Sequence, residues 1–238
     1  MNIRKLLLSA VAPAPLPESK DYRRSFIWQD SVGQKPVDAG LVELSLKAGL
    51  RALDLSLDHL DDRDGHDGLH KIWPGEHYRL IAALIEMLQP KRIVEFGTYT
   101  GLSSLSMLSA MPADGRIDTY DVLAWNQFPV SPLREDDFKD GRIVQHVENL
   151  AESEVAEKNR SILAEADFLF IDGPKDGVTE PKLFENLKQV GLKDGAIMVI
   201  DDIFNYHLIP TWDAIESPKF NITSLGHWTG TGIVRWRN

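Results

Sequence analysis

The chain has 238 residues, and the absence of cysteine excludes disulfide bonds and thiolate metal sites. A hydrophobic fraction of 43% suits a single catalytic domain with a full core. The formal net charge is -10 and no long stripe of lysine and arginine is present, which argues against nucleic acid as a partner. The charge favours small neutral or cationic substrates.

Residues 1–70 are predicted to form a helical N-terminal extension, and residues 71–238 the catalytic domain. The first residues superficially suggest a signal peptide, but their apolar stretch is short and runs directly into Pro13. No apolar run approaches the ~20 residues that span a bilayer, so we expect a cytoplasmic protein with no membrane partner.

Two parts of the extension have recognisable patterns. Apolar residues recur at helical spacing in residues 41–57, where a helix would form a lid, make a homodimer contact or simply pack on the sheet. The aspartate-rich residues 58–67 are predicted to be a solvated loop. A calcium loop is disfavoured there, because its bidentate glutamate is missing at the required later position.

From residue 78 onwards, helix and strand patterns alternate, which predicts a parallel sheet with helices on both faces. Strands are predicted at residues 91–96, 116–120, 142–147, 167–171 and 196–200, and helices at residues 78–88, 102–111, 151–164, 182–190 and 208–216. Residues 220–225 and 232–236 flank a turn and predict a hairpin. Ligands of such folds bind beyond the carboxyl ends of the strands.

An apolar strand, a tight glycine turn and a helix start follow one another in residues 93–101. Gly97 and Gly101 would let the backbone approach a ligand at the helix N-terminus. Asp121 follows the next strand, where a carboxylate accepts hydrogen bonds from ribose hydroxyls. Because the Gly-x-x-x-Gly spacing differs from the dinucleotide fingerprint, the pattern indicates an adenosine-type ligand and disfavours a nicotinamide oxidoreductase.

Polar residues of the same strand and turn have open alternatives. Glu95 ends an apolar strand and needs a partner if buried, so it orients the glycine loop or a ligand amine, or else forms a salt bridge elsewhere. Thr98, Tyr99 and Ser103 lie around the same turn, and Ser103 could equally be an ordinary first-turn helix residue.

Three acids follow two later strands. Asp172 comes after one apolar strand, and Asp201 and Asp202 after the next. Adjacent strand ends would bring these oxygens together, and a hard cation such as Mg²⁺ takes two or three carboxylates. Asp172 also has a metal-free role as base or substrate anchor, and Asp202 could cap the turn that follows.

Three sequence blocks, residues 94–101, 167–175 and 195–202, occur in the same order as in a known family. They resemble the class I S-adenosylmethionine-dependent methyltransferases, and within them the catechol O-methyltransferase-like small-molecule O-methyltransferases. The resemblance covers roughly residues 71–199. It implies an α/β, doubly wound, mostly parallel seven-stranded sheet with a C-terminal antiparallel hairpin, S-adenosyl-L-methionine as cofactor, and a hydroxylated small molecule as substrate.

The resemblance also implies roles for particular residues. The lysine of the family's Asp-x-x-Lys element corresponds to Lys175, which would assist deprotonation together with Asp172. The metal ligands would be Asp172, Asp201 and Asp202, but the family has an amide at the last position, which leaves the metal requirement open. The expected cofactor-binding residues are Glu95, Gly97, Thr98, Tyr99, Gly101, Ser103, Asp121, Glu148, Asn149 and Asp172.

Several alternatives remain at this point. Asn149 could cap the next helix. Residues 71–78 contain a cluster of large and polar side chains that would cover the cofactor, touch the substrate or form a packed turn. The cluster consists of Trp73, Glu76, His77 and Tyr78. A metal-independent enzyme acting on a sugar or natural-product hydroxyl would use Asp172 or His207 as base, and a non-catalytic S-adenosylmethionine-binding protein would retain only the fold.

Overall fold

The computed structural model describes residues 38–63, 68–72 and 77–238. The predictions for residues 1–37, for residues 64–67 and for Trp73 and Glu76 lie outside the described residues. Within the described ranges, no helix is long and apolar enough to cross a membrane.

The described strands form one seven-stranded sheet in the order β3-β2-β1-β4-β5-β7-β6. Strands β1 to β5 are parallel, and β7 runs antiparallel to both β5 and β6. The predicted fold, including the antiparallel edge, is confirmed. The strands are β1 (Arg92–Phe96), β2 (Arg116–Asp121), β3 (Ile143–Val147), β4 (Phe168–Ile171), β5 (Ile197–Asp201), β6 (Lys219–Asn221) and β7 (Thr231–Arg235).

The two faces of the sheet bury alternate side chains, as the two-residue period of a strand requires. Phe168 and Phe170 of β4 pack on one face against the first three helices, whereas Leu169 and Ile171 pack on the other face against the later helices. The helices are α1 (Ala39–Asp54), α2 (Tyr78–Leu88), α3 (Leu102–Ala110), α4 (Ser153–Lys158), α5 (Arg160–Glu165), α6 (Thr179–Val190) and α7 (Ile209–Ala214).

Helix α1 belongs to the same hydrophobic core as the sheet. Its buried Leu41 and Ala48 pack in the cluster that contains Phe168. Asp38 caps the helix by accepting a 3.0 Å bond from the backbone N–H of Leu41, and the same carboxylate binds Arg235 of β7 at 3.0 Å. The domain division at residue 70 stays a prediction.

The helix predicted at residues 151–164 is wrong as a single element, because it breaks at Asn159 into α4 and α5. The Asn159 amide donates 2.9 Å bonds to Glu148 and to the carbonyl of Val155, and its carbonyl accepts from the Tyr120 hydroxyl. A side chain that binds backbone and distant partners in this way competes with the regular helix.

From residue 78 onwards, two other elements have a bound that differs from the prediction by three residues or more. Helix α6 begins at Thr179 rather than at residue 182, because the Asp176 carboxylate accepts the N–H groups of Val178 and Thr179 and proline is tolerated in a first turn. Strand β6 ends at Asn221, whose side chain accepts the N–H and the hydroxyl of Thr223 and turns the chain.

Candidate active site

A cavity of about 550 Å³ opens at the carboxyl ends of the parallel strands. Its described lining includes nine of the residues that the sequence predicts for the site: Gly97, Tyr99, Asp121, Glu148, Asn149, Asp172, Lys175, Asp201 and Asp202. A larger groove of about 950 Å³ is lined by α6, α7 and the last residues of the chain, and it contains none of them. We therefore place the candidate site in the smaller cavity.

The glycine turn after β1 is held by close backbone packing. Gly97 has φ +102°, and a Cβ atom there would overlap the carbonyl oxygen of Asp172. Gly101 has φ +85°, and a Cβ there would overlap the side chain of Leu133. Conformation and packing against Leu133 both favour glycine at 101, and its role in cofactor binding stays a prediction.

Asp121 organises this turn from the end of β2. Its carboxylate accepts a 2.8 Å bond from the N–H of Tyr99 and a 3.1 Å bond from the N–H of Leu123. These bonds fix Tyr99 at φ +44° and leave the carboxylate on the cavity wall. Two carboxylate oxygens have further acceptor capacity, so Asp121 can still accept hydrogen bonds from a ligand.

Glu95 lies behind the cavity wall, fully buried. Its carboxylate accepts bonds from the hydroxyls of Ser103 at 2.5 Å, Thr119 at 2.6 Å and Ser104. Burial raises the pKa of Glu95 to about 7, although these hydroxyl bonds act to lower it. The carboxylate joins β1 and β2 to the first turn of α3. The Thr98 hydroxyl contacts that of Thr119 at 2.7 Å, so Thr98 and Ser103 belong to the same buried network.

Glu148 and Asn149 follow β3 and line the cavity. Asn149 accepts the N–H of Ala151 at 3.0 Å, so its side chain shapes the turn that leads to α4. Glu148 binds Asn159 at 2.9 Å and pairs with Lys158. Both side chains therefore have structural partners at the place where the adenine is expected.

Lys175 lies between two of the predicted acids. Its ammonium group pairs with Asp172 and, at 2.8 Å, with Asp202. Burial acts to lower the pKa of Lys175, but the two carboxylates raise it by more, so the net shift is upward. The Lys175 N–H donates to buried Glu180 at 2.7 Å, which fixes the loop after β4.

Asp201, at the end of β5, faces two histidines. Its Oδ1 atom lies 3.5 Å from His77 Nδ1 and 3.6 Å from His227 Nδ1. Burial acts to raise the pKa of Asp201, but His77 and His227 lower it by more. Thr229 donates to Asp202 and contacts His227 Nδ1 at 2.5 Å.

Backbone strain concentrates at this cavity. Among the described residues, four non-glycine residues have positive φ, and three of them, Tyr99, Lys175 and Asp202, line the cavity. Such conformations cost on the order of 1–3 kcal/mol each and cluster at functional sites.

Metal-type ligands form two groups in the described part of the chain. One is the predicted set Asp172, Asp201 and Asp202, and the other is His77, Asp201 and His227. In each group the possible ligand atoms lie within 4.8 Å of one another. The carboxylate oxygens of the first set suit a hard cation such as Mg²⁺, provided that Lys175 gives up its bridging position.

Three residues at the site, His227, Thr229 and Glu180, were not predicted from the sequence. The signal for the first two was the hairpin, because β7 pairs antiparallel to β5 with Thr231 opposite Asp201. Residues just before β7 must therefore lie beside the acids that end β5. His207, the alternative base of the metal-independent hypothesis, is absent from the described lining of the cavity.

The chain is similar in sequence to known O-methyltransferases. A family model described as O-methyltransferase matches residues 71–219. Caffeoyl-CoA O-methyltransferase of Pinus taeda is 28% identical over 144 residues, which cover 57% of this chain and 52% of the relative. Tricin synthase 1 of Oryza sativa subsp. japonica is 27% identical over 131 residues, 52% of this chain and 50% of the relative. The chain thus spans about half the length of these curated relatives.

Solved structures share the fold. The O-methyltransferase TomG from Streptomyces achromogenes, in complex with SAM, has a TM-score of 0.56 and 19% identity, and the match covers 82% of this chain and 96% of that one. An O-methyltransferase from Bacillus cereus in complex with SAH has a TM-score of 0.52 and 18% identity, over 84% of this chain and 92% of that one. At these identities the likeness concerns the fold alone.

Proposed function

The chain belongs to the O-methyltransferase family, and from this premise we propose that it transfers a methyl group from S-adenosylmethionine to a hydroxyl of a small molecule. One observation carries the proposal. The glycine turn with Asp121 and the cluster of Asp172, Lys175 and Asp202 line the same cavity. A nucleoside-type ligand and a charged reaction centre would therefore be adjacent.

The glycine turn and the end of β2 would bind the cofactor. Asp121 would accept hydrogen bonds from the ribose hydroxyls, since it lies on the cavity wall with acceptor capacity left. Glu95, Thr98 and Ser103 would support cofactor binding indirectly. Their side chains belong to the buried hydrogen-bond network behind the cavity wall and do not face the cavity. Glu148 and Asn149 would border the adenine.

Methyl transfer depends mainly on holding an oxygen nucleophile in line with the methyl group. Asp172 would accept the hydroxyl proton of the acceptor. Lys175, kept protonated between Asp172 and Asp202, would stabilise the negative charge that develops on the oxygen. Asp172, Asp201 and Asp202 would hold a divalent cation once Lys175 leaves its position between Asp172 and Asp202, and the bound cation would then supply Lewis-acid stabilisation to the acceptor oxygen.

The test has two parts. Calorimetric titration of the purified chain with S-adenosylhomocysteine, and separately with NAD, tests the cofactor class. A screen of hydroxylated small molecules with methyl-labelled S-adenosylmethionine tests catalysis. Binding of S-adenosylhomocysteine without NAD binding, together with label transfer, is the expected result. Binding without transfer to any acceptor would favour a non-catalytic S-adenosylmethionine-binding protein.

A metal-independent methyltransferase acting on a sugar or natural-product hydroxyl is the second candidate. It is favoured by the ion pairs of Lys175, which already neutralise much of the acid cluster without a metal. Activity that survives EDTA would select this candidate. Activity that EDTA removes and Mg²⁺ restores would select the metal-dependent one.

We also propose a cytoplasmic location and a homodimer. The dimer is supported by Leu46, Leu50 and Leu53, which are more than half exposed and lie along one face of α1. Light scattering coupled to size exclusion would measure the mass of the particle. A monomeric mass at micromolar concentration would contradict the dimer.

A further inference from the structure

Two histidines and an aspartate form a second group of metal-type ligands on the cavity wall. His77 precedes α2, Asp201 ends β5 and His227 lies in the turn before β7. One possible ligand atom from each lies within 4.8 Å of the others. His77 and Asp201 are buried and His227 is mostly buried, so three separate parts of the chain build this group.

The distances in this group differ from those of ordinary histidine–aspartate pairs. In the same chain, His70 contacts Asp61 at 2.7 Å and His146 contacts Asp118 at 2.8 Å, as charge-assisted hydrogen bonds do. The two histidines of the cavity are 3.5 and 3.6 Å from Asp201 Oδ1. Two ligands each about 2.0–2.1 Å from a tetrahedral zinc ion are roughly 3.4 Å apart. The spacing thus fits ligands that share an ion better than hydrogen-bonded partners.

The Asp201 oxygen gives independent support. Oδ1 is buried, and among the residues that the structure describes its contacts with the two histidines are 3.5 and 3.6 Å long, beyond the usual length of a hydrogen bond. A buried carboxylate oxygen needs a compensating partner, and a cation would provide one. On metal binding, His227 Nδ1 would exchange its contact with the Thr229 hydroxyl, which still donates to Asp202.

We propose that His77, Asp201 and His227 bind a transition-metal dication such as Zn²⁺ or Co²⁺. Imidazole nitrogen suits these metals, whereas Mg²⁺ prefers oxygen ligands and matches the carboxylate set. Because Asp201 belongs to both sets, the two kinds of cation compete for it. All three side chains line the cavity, so the ion would be open to water or to an acceptor oxygen. Metal binding at this site can therefore be measured without S-adenosylmethionine and without methyl transfer.

The test uses the full chain freed of metal with EDTA and then dialysed, without S-adenosylmethionine. Titration with CoCl₂ is followed by visible absorption and by calorimetry, and titration with MgCl₂ by calorimetry. The expected result is one Co²⁺ per chain, bound at least tenfold more tightly than Mg²⁺, with the intense visible bands of low-coordinate Co²⁺. Zn²⁺ should remove these bands by competition.

Variants identify the ligands. His227→Gln and His77→Gln should each weaken Co²⁺ binding at least tenfold and leave Mg²⁺ binding unchanged, whereas Asp172→Asn should weaken only Mg²⁺ binding. His59→Gln, at an exposed histidine outside the cavity, is the matched control. Circular dichroism checks that each variant folds. If the buried position makes His77→Gln unfold, then His227→Gln, at a less buried position, still tests the proposal.

Wild-type Co²⁺ affinity in folded His227→Gln would overturn the proposal, as would loss of Co²⁺ binding in Asp172→Asn. Neither result bears on cofactor binding, which S-adenosylhomocysteine titration measures separately. The metal site and the proposed methyl transfer can therefore fail independently.

Discussion

Gly97 packs directly against the backbone of Asp172, so that a Cβ atom at position 97 would overlap the Asp172 carbonyl oxygen. The Asp172 N–H in turn donates to the carbonyl of Phe96 at 2.8 Å. The proposed cofactor loop and the first acid of the proposed reaction centre are therefore one packed unit. A change in either one should move the other.

The first prediction concerns this contact. Gly97→Ala should weaken S-adenosylhomocysteine binding at least tenfold and lower the free energy of unfolding by about 1–3 kcal/mol, because the new methyl group displaces the Asp172 backbone. Calorimetry and urea unfolding measure the two effects. Gly141→Ala is the control, since Gly141 also has positive φ but has open space around its Cα. Equal effects at both positions would show that φ alone, and not the Asp172 contact, is responsible.

The second prediction concerns Asp121. Asp121→Ala should weaken S-adenosylhomocysteine binding by about 1–3 kcal/mol, since ligand hydroxyls would lose their acceptor and the Tyr99 N–H would lose its bond. Asp140→Ala is matched to it, because Asp140 accepts a similar backbone bond from Arg142 at 2.9 Å outside the cavity. Unchanged affinity in folded Asp121→Ala would rule out the ribose role.

The fold could be predicted because buried parallel strands are continuous apolar runs. Residues 168–171, for example, are Phe-Leu-Phe-Ile and are all buried. The break at Asn159 could not be predicted, because it depends on Tyr120 and Glu148, which become neighbours of Asn159 only in the folded chain. Local helix periodicity contains no information on such contacts.

The candidate site likewise contains residues that could be predicted from the sequence and others that could not. Asp172, Asp201 and Asp202 could be brought together from sequence because the carboxyl ends of adjacent parallel strands meet at one edge of a sheet. The contact of His227 with Asp201 requires the antiparallel register of β5 and β7. Lys175, whose ammonium group pairs with two acids, has φ +53°, a backbone conformation that is not predictable for a lysine.

The third prediction concerns buried Glu95. Its pKa is about 7 in the folded protein and near 4.5 in the unfolded chain, so the unfolded state ionises first as the pH rises. Stability should therefore fall between pH 4.5 and 7 and level off above, with a total contribution of about 3 kcal/mol. Glu95→Gln lacks this titration. Relative to wild type, its free energy of unfolding should improve by that amount between pH 4.5 and 8 in urea unfolding. A difference independent of pH would contradict the shifted pKa.

The fourth prediction separates the acids. Asp201→Asn should abolish turnover while S-adenosylhomocysteine still binds, because the glycine turn and not the acid cluster would hold the cofactor. Asp202→Asn should reduce turnover less than tenfold. Asp202 has φ +60°, a left-handed conformation that asparagine adopts readily, and an amide still offers a carbonyl oxygen to a cation. Full activity of Asp201→Asn in EDTA-treated buffer would contradict the metal-dependent mechanism.

The last prediction concerns Lys175, whose ammonium group separates Asp172 from Asp202. Lys175→Met would leave these carboxylates without their shared cation, so in EDTA the free energy of unfolding should fall by roughly 2 kcal/mol, less than for a fully buried pair. MgCl₂ should then stabilise the variant more than the wild type, because a dication can take the place of the ammonium group without having to displace it. Thermal unfolding with EDTA and with MgCl₂ measures the difference. Lys193→Met removes a lysine that pairs with Asp167 outside the cavity, and it should show no extra response to Mg²⁺. The same Mg²⁺ response in Lys175→Met and Lys193→Met would show that the acid cluster does not bind the ion.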